Sequence, residues 1–246
     1  MKGNVGRYIF VSTVSVYRQD PKMVKNEDAP ILDCTIEQRA EKKITGENYG
    51  AKKAECERIL AANDWLDSII LRPAIVYGPH DYTQRLYYWM YRIKNLNQVI
   101  VPGKGEELMN MTYAEDIVTL MKKCLDIPVH RKIYNTTTHA PNSLLDKLKS
   151  MAKALGKSPD WLFVDPKQIL DNKEVLGGKI PQVYTTSNQY RFDHSKMLED
   201  FGEFLTPFDT SIAETIKWHD SNKLWEEGKA GPTIEQEAAF LKTLKI

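Results

Sequence analysis

The sequence predicts an α/β fold built on a parallel sheet. Two strands with a helix between them carry the prediction. Residues 8–11, Tyr-Ile-Phe-Val, form a short β-branched and aromatic run, and residues 68–76 form a near-continuous apolar one. Strands that are apolar without alternation are buried on both faces, as parallel strands are. Between them, residues 45–62 place Ala51, Ala54, Cys56, Ile59 and Leu60 among charges. That is the pattern of an amphipathic helix, and Asn63-Asp64 ends it.

The chain continues in short elements. The first strand runs out into Ser12-Thr13-Val14-Ser15-Val16-Tyr17, and a polar loop with Pro21 and Pro30 follows. After the second strand Gly78-Pro79 makes a turn, and residues 86–93 read as an aromatic-rich helix. Residues 98–102 and 108–113 read as strands around the turn Gly103-Lys104-Gly105, and Asp116 opens the next helix. Residues 132–135 are another strand. Asn142-Ser143 starts an amphipathic helix over 144–155, which Gly156-Lys157 and Pro159 end. A strand over 161–164, a helix over 167–175 and a late helix over 207–219 follow. Residues 223–246 form a polar amphipathic tail, helical in part.

The 246 residues give room for one large domain or one and a half. Hydrophobic residues make up 42% and charged residues 27%, as in ordinary soluble globular proteins. A formal net charge of +1 offers no basic excess for counterion release, so no nucleic-acid surface is expected. Cys34, Cys56 and Cys124 are widely spaced, with no Cys-x-x-Cys and no histidine at ligand spacing. Neither a disulfide framework nor a metal site is expected, and a reducing cytoplasm is the default compartment. The apolar stretch after Arg7 is short and broken by Ser12, Thr13 and Ser15, unlike a signal peptide. No run approaches the ~18 apolar residues of a membrane span.

Tyr49 stands four residues before Lys53. On a helix the two share a face. A free phenol has a pKa of about 10 and is a poor acid-base catalyst at neutral pH; a nearby cation favours the phenolate. Alone the pair is a weak signal. A chain with 12 tyrosines and 25 lysines holds roughly one such pair by chance, as a tyrosine packed on a lysine stem. Its context is stronger. Small hydroxyl residues follow the upstream strand, and Leu71-Arg72-Pro73-Ala74-Ile75-Val76-Tyr77-Gly78-Pro79 lies downstream. Loops at the carboxyl ends of parallel strands carry function. The patterns strand-Ser-Thr-x-x-Val-Tyr, Tyr-x-x-x-Lys and Leu-Arg-Pro-x-x-Val-Tyr-Gly-Pro, in this order, resemble the extended short-chain dehydrogenase/reductase family. That family includes the NAD-dependent epimerases and dehydratases, and the resemblance runs from about Arg7 to His219.

The resemblance implies the C-terminal part of a Rossmann-like doubly wound parallel sheet, with the catalytic motifs, in residues 1–80. It implies a small α/β substrate-binding domain in 81–222, some of whose strands and helices return to that sheet, and a helical tail in 223–246. It implies NAD or NADP as cofactor and hydride transfer at a hydroxyl or carbonyl carbon of a sugar-like or other small substrate. Tyr49 would transfer the proton, Lys53 would lower its pKa and hydrogen-bond the nicotinamide ribose, and Thr13 would hold the substrate oxygen, with Ser12 next in line. Ser12, Tyr49, Lys53, Pro73, Ala74, Ile75 and Val76 would line the cofactor, and Thr13, His80 and Arg85 would meet substrate. His80 and Arg85 read equally well as a capped turn with surface charge.

Two departures qualify the match. The family's Gly-x-x-Gly-x-x-Gly turn, which binds the pyrophosphate, is absent from these residues. The chain opens about where the family's fifth strand does, on the order of 100 residues in. Met109 stands seven residues before Asp116, where nucleotide-sugar members often carry an arginine. The expectation is therefore an N-terminally truncated oxidoreductase or epimerase, with a homodimer or a separate partner supplying the missing half. The alternative is a catalytically inactive family member that acts as a binding or assembly module through an exposed sheet edge.

Overall fold

The structure, a computed structural model, describes residues 2–20, 22–178 and 191–244. In chain order its elements are β1 (Arg7–Val11), a 3₁₀ turn (Val14–Val16), α1 (Ile36–Ala40), α2 (Tyr49–Ala61), β2 (Asp67–Pro73), β3 (Ile75–Tyr77) and α3 (Arg85–Asn95). There follow β4 (Gln98–Pro102), β5 (Leu108–Tyr113), α4 (Ala114–Asp126), β6 (Lys132–Thr136), β7 (Thr138–Ser143) and α5 (Leu144–Ala154). The last are β8 (Asp160–Val164), α6 (Pro166–Asp171), α7 (Ser195–Phe201), α8 (Phe208–Ser221) and α9 (Ile234–Thr243). They fall into two compact units, one drawn from residues 1–76, 110–140 and 189–205, the other from 77–109, 141–188 and 206–246.

The first unit holds a parallel sheet in the order β1-β2-β6. Its side chains alternate between two covered faces, as parallel strands require. Ile69 and Leu71 of β2 point to one face, where they pack with Tyr134 of β6, Leu120 and Cys124 of α4 and Met197 of α7. Arg72 points to the other face, toward α2. There Val14, Val16 and Tyr17 pack with Ala54 and Phe192. A helix on each face of a parallel sheet is the doubly wound arrangement expected from the sequence. β1 is the edge of this sheet, and Val11 is 39% exposed.

Three elements differ from the sequence reading. The strand expected over 68–76 breaks at Ala74, whose N–H leaves the ladder and donates to Thr112 Oγ1 at 2.9 Å. α1, not anticipated as a helix, is a five-residue element held by a capping box between Thr35 and Gln38. β7, also unanticipated, has the sequence Thr-His-Ala-Pro-Asn-Ser, which carries no strand signal. The proline at 21 and the last two positions of the tail lie outside the described residues.

In the second unit β4 and β8 pair in parallel. Leu86, Tyr87, Trp89, Met90 and Ile93 of α3 are buried there. α9 is anchored in this unit: Phe240 is fully buried, and Arg92 Nε meets Glu237 Oε2 at 3.2 Å. Among the described residues no helix is long and apolar enough to cross a membrane, and no group of His, Cys, Asp or Glu is placed to hold a metal ion. All three cysteines are free thiols.

Candidate active site

The site is built from three strand ends and one helix of the first unit. β1, β2 and β6 run in register, so Val11 is opposite Leu71 and Pro73 opposite Thr136. Their carboxyl ends therefore deliver Ser12-Thr13, Pro73-Ala74 and Thr136-Thr137 to one edge, where an open α/β sheet binds its ligands. Ser12 N–H still donates to Leu71 O at 2.7 Å, which holds Thr13 close to the sheet. Thr13 is extended and caps the 3₁₀ turn, with its Oγ1 accepting from Ser15 N–H at 3.1 Å.

α2 brings Tyr49 and Lys53 to this edge. Its start is fixed by reciprocal bonds: Thr45 N–H donates to Asn48 Oδ1 at 2.9 Å, and Asn48 N–H to Thr45 Oγ1 at 3.3 Å. The first turn then lies against the 3₁₀ turn that follows Thr13. Gly50 makes this possible, because a Cβ there would fall 2.2 Å from the Ser15 carbonyl oxygen. The glycine after Tyr49 is thus a close-approach residue that sets Tyr49 beside Thr13's segment.

The Tyr49 phenol is 38% exposed, and among the described residues it has no hydrogen-bond partner. Lys53 is half-buried. Its Nζ donates to Val11 O at 2.7 Å and lies 4.1 Å from the centre of the Phe10 ring. Burial pulls the Lys53 ammonium below the ordinary lysine value, while Cys56 and Glu57 act the other way. One of its three protons is used on Val11, so it keeps donors for a ligand.

Beneath these residues lies a polar network that sequence reasoning missed. Ser12 Oγ donates to Glu57 Oε1 at 2.5 Å. Arg72 Nη2 donates to Glu57 Oε2 at 2.6 Å, and Arg72 Nη1 to the Tyr17 hydroxyl at 2.8 Å. Tyr17 in turn donates to Asn135 Oδ1 at 2.7 Å. Burial works against the Arg72 charge, but hydrogen bonds and charge from Glu57 and Tyr17 outweigh it and raise its pKa. Burial pushes the Tyr17 phenol up to about 12. The one signal in the sequence was spacing: Glu57 follows Lys53 by one helical turn and Tyr49 by two.

The structure gathers Thr13, Tyr49, Lys53, Pro73, Ala74, Ile75 and Val76 into the first unit. Ser12 faces inward and its hydroxyl is committed to Glu57. Pro73 and Ile75 are buried, whereas Ala74 and Val76 are partly open. His80 and Arg85 belong to the second unit, and both are exposed. His80 has a left-handed backbone, φ 65°, and its ring centre lies 4.9 Å from that of Trp218. Arg85 is the first residue of α3. Met109 is buried there too, and its carbonyl accepts from Lys147 Nζ at 3.1 Å.

A model of the NAD dependent epimerase/dehydratase family matches residues 1–136, more than half of the chain. The chain belongs to this family. The dTDP-glucose 4,6-dehydratase of Escherichia coli is 25% identical over 226 residues, which cover 89% of this chain and 60% of that protein. This chain thus spans well under two thirds of that relative's length. Among solved structures, UDP-glucose 4-epimerase of Thermotoga maritima with UDP-glucose superposes with a TM-score of 0.65 at 18% identity, over 89% of this chain and 65% of that one. UDP-glucuronic acid 4-epimerase of Bacillus cereus in complex with NAD gives 0.64 at 18% identity, over 91% and 64%. At such identity these likenesses establish the Rossmann-like fold.

Proposed function

We propose that this chain carries the proton-transfer site of an NAD(P)-dependent enzyme acting at a hydroxyl-bearing carbon of a nucleotide-linked sugar. The observation that carries the reading is the collection of Thr13, Tyr49 and Lys53 at the carboxyl edge of a parallel sheet in a member of this family. The relatives' substrates supply the substrate class: dTDP-glucose for the Escherichia coli dehydratase and UDP-glucose for the Thermotoga epimerase.

The residues present fit the nicotinamide-ribose end of the cofactor. Lys53 has donors to spare for ribose hydroxyls, and the segment 73–76 offers an apolar wall with two partly open positions. The chemistry supplied with NAD bound is the reversible oxidation of a carbinol carbon. The side chains do the rest. The Tyr49 oxygen takes or returns the proton of the substrate hydroxyl, and the Lys53 ammonium stabilises the negative charge left on it. Thr13 Oγ1 accepts from Ser15 N–H and donates to Ser15 Oγ at 3.2 Å; with substrate bound it turns that proton to the substrate oxygen and fixes its position. No glycine-rich phosphate turn stands in these 246 residues, so the contacts this chain offers the cofactor are those at its nicotinamide-ribose end.

Purified chain with NAD⁺ and dTDP-glucose or UDP-glucose should convert the sugar, followed by NMR of the anomeric protons. Tyr49→Phe should slow that conversion by about 10²- to 10⁴-fold without loss of folding. Wild-type conversion no faster than that of the variant would overturn the reading.

A further inference from the structure

We propose that Glu57 is a positioning residue for this site: clamped by Arg72 and Ser12, it docks the Tyr49–Lys53 face of α2 onto the ends of β1 and β2. The inference deepens the functional reading above and rests on it. Tyr49, Lys53 and Glu57 occupy successive turns of one helix face. The first two reach the edge where ligand binds, and the third reaches into the unit. Glu57 is 3% exposed and Arg72 2%.

The carboxylate uses both oxygens. Oε1 accepts from Ser12 Oγ at 2.5 Å and from Arg72 Nε at 3.1 Å; Oε2 accepts from Arg72 Nη2 at 2.6 Å and from Nε at 3.2 Å. Each partner adjoins a site residue in the chain. Ser12 precedes Thr13, and Arg72 precedes Pro73. Arg72 then carries the link onward through Tyr17 to Asn135, whose Nδ2 donates to the carbonyls of Lys25 and Asp193 at 3.0 and 2.8 Å. One carboxylate thus ties α2 to two strand ends, and the network behind it reaches the third. Charge-assisted bonds of this kind are short and directional, and a site needs its groups held within about 0.5 Å. The same charge lies on the Lys53 face of the helix and opposes the loss of the Lys53 proton.

Glu57→Gln keeps the shape and an acceptor for Ser12 but removes the charge from the clamp. The test reads Lys53 directly, through the NMR titration of its Cε in the full chain. The Lys53 midpoint should fall in the variant, because the charge that opposes loss of its proton is gone. Ser12→Ala deletes one bond and leaves the ion pair and its charge, so it should leave the Lys53 midpoint in place but lower kcat by a smaller factor than Glu57→Gln, and its kcat decides the matter if Glu57→Gln does not fold cooperatively. A Lys53 midpoint equal to wild type in folded Glu57→Gln would overturn the proposal. In the turnover assay Glu57→Gln should lower kcat about tenfold with KM for the nucleotide sugar within about twofold. Equal kcat would also overturn it. A wild-type chain without turnover would refute the functional reading alone, since the Lys53 titration needs neither cofactor nor substrate.

Discussion

Gly50→Ala sets two effects against each other, and the structure says which wins. In an open helix the change would stabilise by up to about 1 kcal/mol, because alanine is the better helix former. Here the new Cβ would lie 2.2 Å from Ser15 O and 3.0 Å from Leu32 Cδ1. A close C···O contact is about 3.3 Å, so α2 or the 3₁₀ turn must retreat by about 1.1 Å. The obstacle is backbone, which cannot rotate away. Overpacking of this kind costs about 1–3 kcal/mol, and a backbone clash belongs in the upper half of that range. The net expectation is a loss of about 1–2 kcal/mol, or a fall in Tm of about 2–8 °C for a chain of this size. Because the retreat separates Tyr49 from Thr13's segment, turnover should fall by as much as about 100-fold. Urea and thermal unfolding measure the first effect. A stabilised Gly50→Ala chain would refute the packing of α2 against the 3₁₀ turn.

Two further expectations concern buried charge. Arg72→Met leaves the Glu57 carboxylate buried without its cation and should cost about 3–5 kcal/mol in urea unfolding, whereas Glu57→Leu/Arg72→Met should recover most of it; a loss under about 1 kcal/mol would mean the pair is hydrated. Lys147 is buried with its Nζ donating to the carbonyls of Met109 and Asn142, and burial lowers its pKa to about 8 from 10.5. The native state then binds fewer protons than the unfolded one between those values, so the penalty is full below pH 8 and is relieved as pH rises toward 10.5. Wild type should gain about 3 kcal/mol over Lys147→Met across that window, and parallel stability curves would contradict it.

The sequence was most legible where the signal is local. The run 8–11 and the apolar run 68–76 became neighbouring parallel strands, and the helix read over 45–62 became α2, which starts four residues later at Tyr49. Tyr49 and Lys53 were legible through one helical turn, and Thr13 through its place after a strand. Glu57 and Arg72 were not, because their meaning is a pairing 15 residues apart in sequence that only the β1-α2-β2 crossover creates. The importance of Gly50 was hidden for the same reason: its neighbour, Ser15, is 35 positions away. The break at Ala74 depends on a hydroxyl at Thr112, which no window around residue 74 contains. α9 lies in the tail that reads as polar and amphipathic, yet Glu237 and Phe240 are buried, since a polar helix can dock through two residues.

The Thr13, Tyr49 and Lys53 end of this chain is proposed as a nicotinamide-ribose site. Its most direct test is thermal unfolding of wild type and Lys53→Met with NAD⁺, NADH, NADP⁺ or NADPH. At 100 times its dissociation constant a cofactor stabilises the chain by about 2.7 kcal/mol, which raises Tm by about 5–10 °C. Such a rise is expected for wild type and a clearly smaller one for Lys53→Met at the same concentration. No rise at about 10 mM of any of the four, or an equal rise in both chains, would contradict it.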